Sequence, residues 1–118
     1  MELSQQTEIL RQLKEEYNIP ALALINKKGK LLIALTAKEE NSEMVGRIPA
    51  LAFSIFEENL GKFQASHVKS IKVQGKENNI LFYTIQEDKI LIIWMNDTKI
   101  SEDFLKKVES IVLQLSNS

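Results

Sequence analysis

The sequence predicts an α+β domain of three layers, in which helices cover both faces of a five-stranded, mainly antiparallel sheet. Its strands are apolar on both faces, its two ends have the periodicity of helices, and a middle segment is apolar around more than half of a helix. The order is helix, two strands, helix, three strands, helix, in a single domain over residues 1–118. We expect the terminal helices on one face of the sheet and the middle helix on the other.

The first helix has one apolar stripe and a defined end. Apolar residues recur at steps of three or four among polar ones, at Leu3, Ile9, Leu10, Leu13 and Tyr17. The helix is predicted to end before Asn18, because Pro20 biases Ile19 toward an extended backbone. The chain should therefore enter its first strand directly after the proline.

A hairpin follows, with strands from Ala21 to Asn26 and from Leu31 to Thr36. Gly29, in the turn, can supply the positive φ that tight turns need. Both strands are apolar along their length, so we expect both to be buried on both faces. The lysines of the turn at residues 27–30 are interpreted as a solvated loop rather than a site for a phosphate or an acidic partner.

A middle helix is predicted between a cap at Asn41 or Ser42 and a stop at Gly61. Polar residues before and after Pro49 share one side of the helical wheel, which favours one helix kinked at Pro49 over a helix that begins there. The apolar arc spans roughly 200°, wider than the ~100° that one surface covers. One flank of this arc is a predicted dimer interface, formed by Gly46, Pro49, Phe53, Phe56 and Leu60. Coverage by loops or the termini is the alternative.

The third strand is the most polar of the five, which suits the edge of the sheet. Its apolar residues Val68, Ile71 and Val73 alternate with polar ones that include Lys69 and Lys72. Lysines oppose unspecific edge pairing but permit one specific antiparallel pairing with a second copy. We therefore predict that Val68, Lys69, Ile71 and Val73 form the strand part of the dimer interface.

The remaining elements are two strands and a closing helix. The strands run from Ile80 to Ile85 and from Ile90 to Met95, and we expect Trp94 to be a core residue. Ser101 begins the last helix as its cap. The buried stripe of this helix is Phe104, Leu105, Val108, Ile111, Val112 and Leu115.

Composition and motifs argue against several classes of function. Fifteen basic and sixteen acidic residues give a net charge of −1, without the positive field that draws proteins to nucleic acid. Cysteine is absent, and the apolar runs are far shorter than the ~20 residues that span a bilayer. His67 is the only histidine, and we find no motif for a metal or a phosphate. The sequence predicts a cytoplasmic protein without catalytic, metal-binding or cofactor-binding residues.

The segment from Ala21 to Lys30, Ala-Leu-Ala-Leu-Ile-Asn-Lys-Lys-Gly-Lys, resembles the opening hairpin of the Roadblock / dynein light chain family. The resemblance continues, in the family's order and spacing, through residues 48–53, 71–75, 80–95 and the helix from Ser101. These segments together span almost the whole chain. Pro49 departs from the alanine-rich middle helix of the family, so this helix is not expected to be straight.

The resemblance implies a homodimer, or a heterodimer with a second Roadblock-like chain, whose middle helices pack side by side and whose third strands join into one sheet. Proteins of this family act without an active site. They bind Ras-like small GTPases as regulators or scaffolds, serve as dynein light chains, or control polarity and motility GTPases. A member that stimulates a GTPase would arrange the GTPase's own switch loops. Neither Arg11 nor Arg47 is assigned as an arginine finger, and Arg47 is the candidate GTPase contact.

Two other classes fit the order of elements. A longin-like or profilin-like domain also wraps a five-stranded sheet in helices and would serve trafficking or actin binding, although the amphipathic helix before the first strand argues against a longin. A PAS-like or GAF-like ligand sensor needs a pocket between sheet and helix. Large apolar residues at nearly every inward position argue against such a pocket.

The predicted helix interface has a direct test. Phe53→Glu should convert the dimer into a monomer or an aggregate, because it places a charge in a desolvated interface. Lys28→Glu, in the solvated turn, should leave mass and fold unchanged. Light scattering measures both masses, and an unchanged dimer after Phe53→Glu would remove this flank from the interface.

Overall fold

Five strands and two helices make up the part of the chain that this computed structural model describes, residues 2–26, 30–36, 70–74, 79–86, 88–96 and 100–117. The elements are α1 Leu3–Glu16, β1 Ala21–Asn26, β2 Leu31–Thr36, β3 Ser70–Gln74, β4 Asn79–Ile85, β5 Lys89–Met95 and α2 Glu102–Ser116. Each lies where the sequence predicts it, within two residues. The predicted middle helix lies outside the described residues.

The strands form one antiparallel sheet in the order β2, β1, β5, β4, β3. This order confirms the predicted α+β fold and places the polar third strand at an edge. β5 lies in the centre, where Leu91 pairs with Leu24 of β1 on one side and with Tyr83 of β4 on the other. Leu91, Ile92 and Ile93 are all 0% exposed, so the central strand is buried on both faces.

Both helices pack on the same face of the sheet, as predicted. The core they share with it, the helix-side cluster, includes Leu10, Leu13, Leu22, Leu24, Leu81, Leu91, Ile93, Phe104, Val108 and Leu115. Tyr17 and Phe104 meet edge to face, with ring centroids 4.9 Å apart, and so join the end of α1 to the start of α2. Lys107 and Glu16 add an exposed ion pair of 4.0 Å, a weak contribution at this exposure.

Specific residues and hydrogen bonds define the ends of the two helices. Asn18 adopts a φ of 51°, and the Ile19 N–H donates to the carbonyl of Lys14 at 3.0 Å, a Schellman motif that ends α1. At the start of α2, the Ser101 hydroxyl accepts a hydrogen bond from the Phe104 N–H at 3.1 Å. At its end, Nε2 of Gln86 donates to the Ser116 carbonyl at 2.9 Å, so the β4–β5 turn caps this helix.

The prediction that β2 is buried on both faces is wrong. β2 is the second edge of the sheet, Leu31 is 40% exposed and Ala34 is exposed. An apolar composition does not distinguish a central strand from an apolar edge strand, since both give the same run of residues. The strand is also irregular. Leu24 pairs with Ile33 and Ile25 pairs with Leu31, which leaves Leu32 as an extra residue, a β-bulge.

The packing of α2 gives a stability prediction. Phe104, which is 2% exposed, contacts the helix-side cluster and Tyr17. Phe104→Ala should lower the free energy of unfolding by about 3–5 kcal/mol, because it leaves a cavity where α1 and α2 meet. Leu113→Ala, on the same helix but 63% exposed, should change it by no more than about 0.5 kcal/mol. Urea unfolding followed by circular dichroism measures both, and equal losses would contradict the described packing.

Candidate functional site

The strand β3 has one apolar and one polar face. Ile71 pairs with Phe82 and Val73 pairs with Ile80, so both apolar side chains lie on the sheet face away from α1 and α2. Ser70, Lys72 and Gln74 alternate with them and lie on the face that carries the helices. A strand that paired with β3 would therefore meet apolar side chains on one face of the joint sheet and polar side chains on the other.

The outer side of β3 is open among the described strands. β4 pairs with its inner side through five residue pairs without a break in register. Val73 is 43% exposed, and Ser70, Lys72 and Gln74 are also exposed, whereas Ile71 is half-buried. An edge strand presents backbone N–H and C=O groups that a further strand can bind. β3 thus has the geometry of a pairing edge.

The face away from the helices has its own apolar core, the opposite-face cluster. It consists of Ala21, Ala23, Ile25, Phe82, Ile90, Ile92 and Trp94, with Ile71 and Ile80 packed against it. None of its buried members is more than 8% exposed, and none belongs to α1 or α2. Ile71 anchors β3 to this cluster, while Val73 projects beyond it.

Trp94 is buried in the opposite-face cluster, which confirms its prediction as a core residue. It is 8% exposed, and its Nε1–H has no hydrogen-bond partner among the residues that the structure describes. A buried donor without an acceptor costs about 1–3 kcal/mol. The alternation of apolar residues predicts that Trp94 is buried, but not whether its N–H finds a partner. As the only tryptophan, it is a fluorescent reporter for this face.

Tyr83 lies on the helix-bearing face of β4, directly opposite Ser70 of the edge strand. Burial raises the pKa of the Tyr83 phenol, and the nearby Glu109 of α2 raises it further. Both effects favour the neutral phenol, and the second shows that Glu109 lies near Tyr83.

The predicted interface residues remain a prediction. Of these residues, the structure describes Ile71 and Val73, and it places both on one face of an edge strand. The others lie outside the described residues: Gly46, Arg47, Pro49, Phe53, Phe56, Leu60, Val68 and Lys69. His67 lies outside them as well.

The described residues also bear on other kinds of site. A shallow groove of about 450 Å³ lies where α1 ends and β1 begins, lined by Lys14, Glu15, Asn18, Ile19, Pro20 and Asn96. Within the described ranges, no group of three His, Cys, Asp or Glu side chains is placed to hold a metal ion. Neither α1 nor α2 is long and apolar enough to cross a membrane.

No protein-family model matches the chain, and no curated protein matches it by sequence. Solved structures do match it. Myxococcus xanthus MglB matches 98% of this chain and 88% of its own, with a TM-score of 0.81 and 9% identity. The fold is Roadblock-like. An MglB in a tetrameric arrangement matches 97% of this chain and 87% of its own, with a TM-score of 0.82 and 14% identity. A Roadblock/LC7 domain from Streptomyces avermitilis matches 93% of this chain and 97% of its own, with a TM-score of 0.72 and 8% identity.

Profilins share the architecture at lower similarity. Acanthamoeba castellanii profilin IA matches 95% of this chain and 96% of its own, with a TM-score of 0.64 and 16% identity. This TM-score is lower than those of the MglB and Roadblock/LC7 structures above, so those structures superpose better on this chain. At identities this low, the structural similarity establishes only the fold. The function has to be argued from the surface of the chain.

Proposed function

We propose that this chain is a cytoplasmic, non-enzymatic adaptor that dimerises through β3 and the predicted middle helix and that binds a Ras-like small GTPase. The observation that carries the proposal is the edge position of β3 in a Roadblock-like sheet. Its outer side is open among the described strands, and its exposed Val73 lies beside an apolar core. The partner chain is either a second copy or another Roadblock-like chain.

Two features of the chain support the proposed dimer. An exposed edge strand is a liability unless it is blunted or paired. The flank of Gly46, Pro49, Phe53, Phe56 and Leu60 adds apolar surface in excess of what one sheet face covers. Antiparallel pairing of two β3 strands about a two-fold axis keeps the helices of both copies on the same side of the joint sheet. Val68 and Lys69 extend this seam along the chain.

The GTPase partner follows from the resemblance to Roadblock proteins and from the chemistry of the chain. The sequence has no recognisable motif for acid–base or nucleophilic catalysis. An effect on hydrolysis would therefore come from ordering the switch loops of the GTPase itself. Arg47 is the proposed contact from the middle helix. Arg11 is a natural control, because it pairs with Glu8 at 2.7 Å on the exposed side of α1.

A profilin-like binding module is the second candidate, and the similarity to profilin IA favours it over a ligand sensor. The two candidates differ in their partner. A profilin-like chain would bind monomeric actin and would not depend on a joined β3 edge, whereas the adaptor needs the dimer.

The seam at β3 predicts the mass of the protein in solution. The native chain should scatter light as a species of about twice 13.5 kDa across a dilution series. Val73→Glu should shift it to the monomer, because both copies would bring a carboxylate to the strand pair. The exposure of Val73 means that the fold should survive.

Leu113→Glu is the matched control for this variant, since it places the same charge at an exposed leucine of α2. It should keep the native mass. A native dimer that persists in Val73→Glu would exclude β3 as the seam, and a native monomer would exclude the homodimer.

The GTPase proposal is tested with the purified Ras-like GTPases of the source genome, each loaded with GDP or a non-hydrolysable GTP analogue. Calorimetry should find one that binds the native dimer at least about tenfold more tightly in the GTP-like state, a difference of ~1.4 kcal/mol. Arg47→Ala should weaken this binding, and Arg11→Ala should not. Single-turnover hydrolysis then separates activation from scaffolding. Binding to actin monomers, with no GTPase bound, would replace this proposal by the profilin-like one.

A further inference from the structure

The second edge of the sheet, β2, is chemically suited to uncontrolled pairing. Its six residues, Leu-Leu-Ile-Ala-Leu-Thr, include no charge and no proline. Leu31 is 40% exposed and Ala34 is exposed, and no described strand pairs with the outer side of β2. An exposed edge strand that is apolar and carries neither charge nor proline is a template for aggregation.

Edge strands are protected by charged side chains, by proline, by short length, by a cover or by a β-bulge. β3 carries Lys72 within its ladder, whereas β2 carries no charge. Ala34, in the middle of β2, is exposed to solvent, so no other element covers its side chain. The device present within β2 is the bulge at Leu32, where one more residue lies on β2 than on the facing stretch of β1.

We propose that the extra residue Leu32 closes the β2 edge to pairing with a second copy of this chain, so that assembly through the sheet is restricted to the β3 edge. A bulge bends the strand and increases its local twist, so the outer N–H and C=O groups cannot align with a straight partner strand over its full length. Only four residues, Ile33 to Thr36, then remain in regular register. The closure of the β2 edge does not depend on the proposed GTPase or on the β3 seam, whereas the restriction of assembly to β3 rests on the proposed dimer.

Deletion of Leu32 is the direct way to remove the bulge. Leu24 already pairs with Ile33 and Ile25 with Leu31, so the deletion makes these two pairs consecutive. The ladder then continues to Asn26, whose N–H donates to the Lys30 carbonyl at 2.9 Å. The deletion variant should have an unbroken β1–β2 ladder and a straight apolar outer edge.

Leu32→Ala is the matched control. The Leu32 side chain is half-buried against the helix-side cluster, and both variants lose that contact. Leu32→Ala keeps the residue count and therefore the bulge. A second control combines the deletion with Ala34→Lys, which restores protection of the edge by a charge in place of a bulge.

Light scattering across a dilution series tests the proposal, with Trp94 fluorescence and circular dichroism to establish that each variant is folded. The deletion variant should gain mass with concentration, by at least about twofold over the native protein at the highest concentration. Leu32→Ala and the deletion combined with Ala34→Lys should keep the native mass. A folded deletion variant of native mass, or equal assembly by Leu32→Ala, would overturn the proposal. Adding Val73→Glu to the deletion separates the two edges, since growth through β2 survives this substitution.

If the deletion variant does not fold, hydrogen exchange of the native protein tests whether the β2 edge pairs. The amides of residues 31–36 should show the same protection at low and high protein concentration, because no copy pairs with this edge. Protection of these amides that grows with concentration would show that the bulged edge does pair, and would refute the proposal.

Discussion

The structure depends on the burial of β5 on both of its faces. Leu91 and Ile93 face the helices, Ile92 faces the other way, and all three are inaccessible to solvent. Burying each such side chain contributes about 1.5–3 kcal/mol, and a central strand gains this on both sides at once. A sheet with two apolar faces requires cover on both. The described helices cover one face, and the opposite-face cluster, which is also buried, lies on the other.

With β5 in the centre, β3 and β2 are the two edge strands of the sheet. β3 has alternating polar residues, an exposed valine and an unbroken ladder to β4. β2 has uncharged residues and an extra leucine. A lysine on an edge strand opposes unspecific pairing and leaves one specific pairing possible. A β-bulge bends an edge strand and opposes pairing with a straight strand. The two edges therefore differ in both charge and regularity.

The sequence predicts most of this fold because its local signals agree with one another. Pro20 and Asn18 mark the end of α1, Ser101 marks the start of α2, and Lys72 marks β3 as an edge. The burial of β2 was predicted wrongly, because a run of apolar residues does not reveal how many strands flank it. The bulge at Leu32 escapes sequence reasoning for a related reason.

A bulge is a mismatch in residue count between two strands, and neither strand shows it alone. The hydrogen-bonding state of the Trp94 indole is likewise set by atoms that are distant in the sequence. The structure places Ile71 and Val73 in the edge strand β3, and the whole predicted interface, on this strand and on the middle helix, remains a prediction. The grouping of the middle-helix residues rests on helical phase across Pro49, a local regularity that says nothing about which partner covers them.

The adaptor proposed above would obtain its specificity from the position of its surfaces. Pairing at β3 would fix two copies relative to each other through backbone hydrogen bonds, whose directionality sets one orientation. A GTPase bound across such a dimer would meet a surface of fixed geometry, which favours one arrangement of its switch loops over the others it samples. The proposed closure of the β2 edge would then matter as much as pairing at β3, because a sheet that could grow at both edges would form open chains of copies instead of a defined dimer.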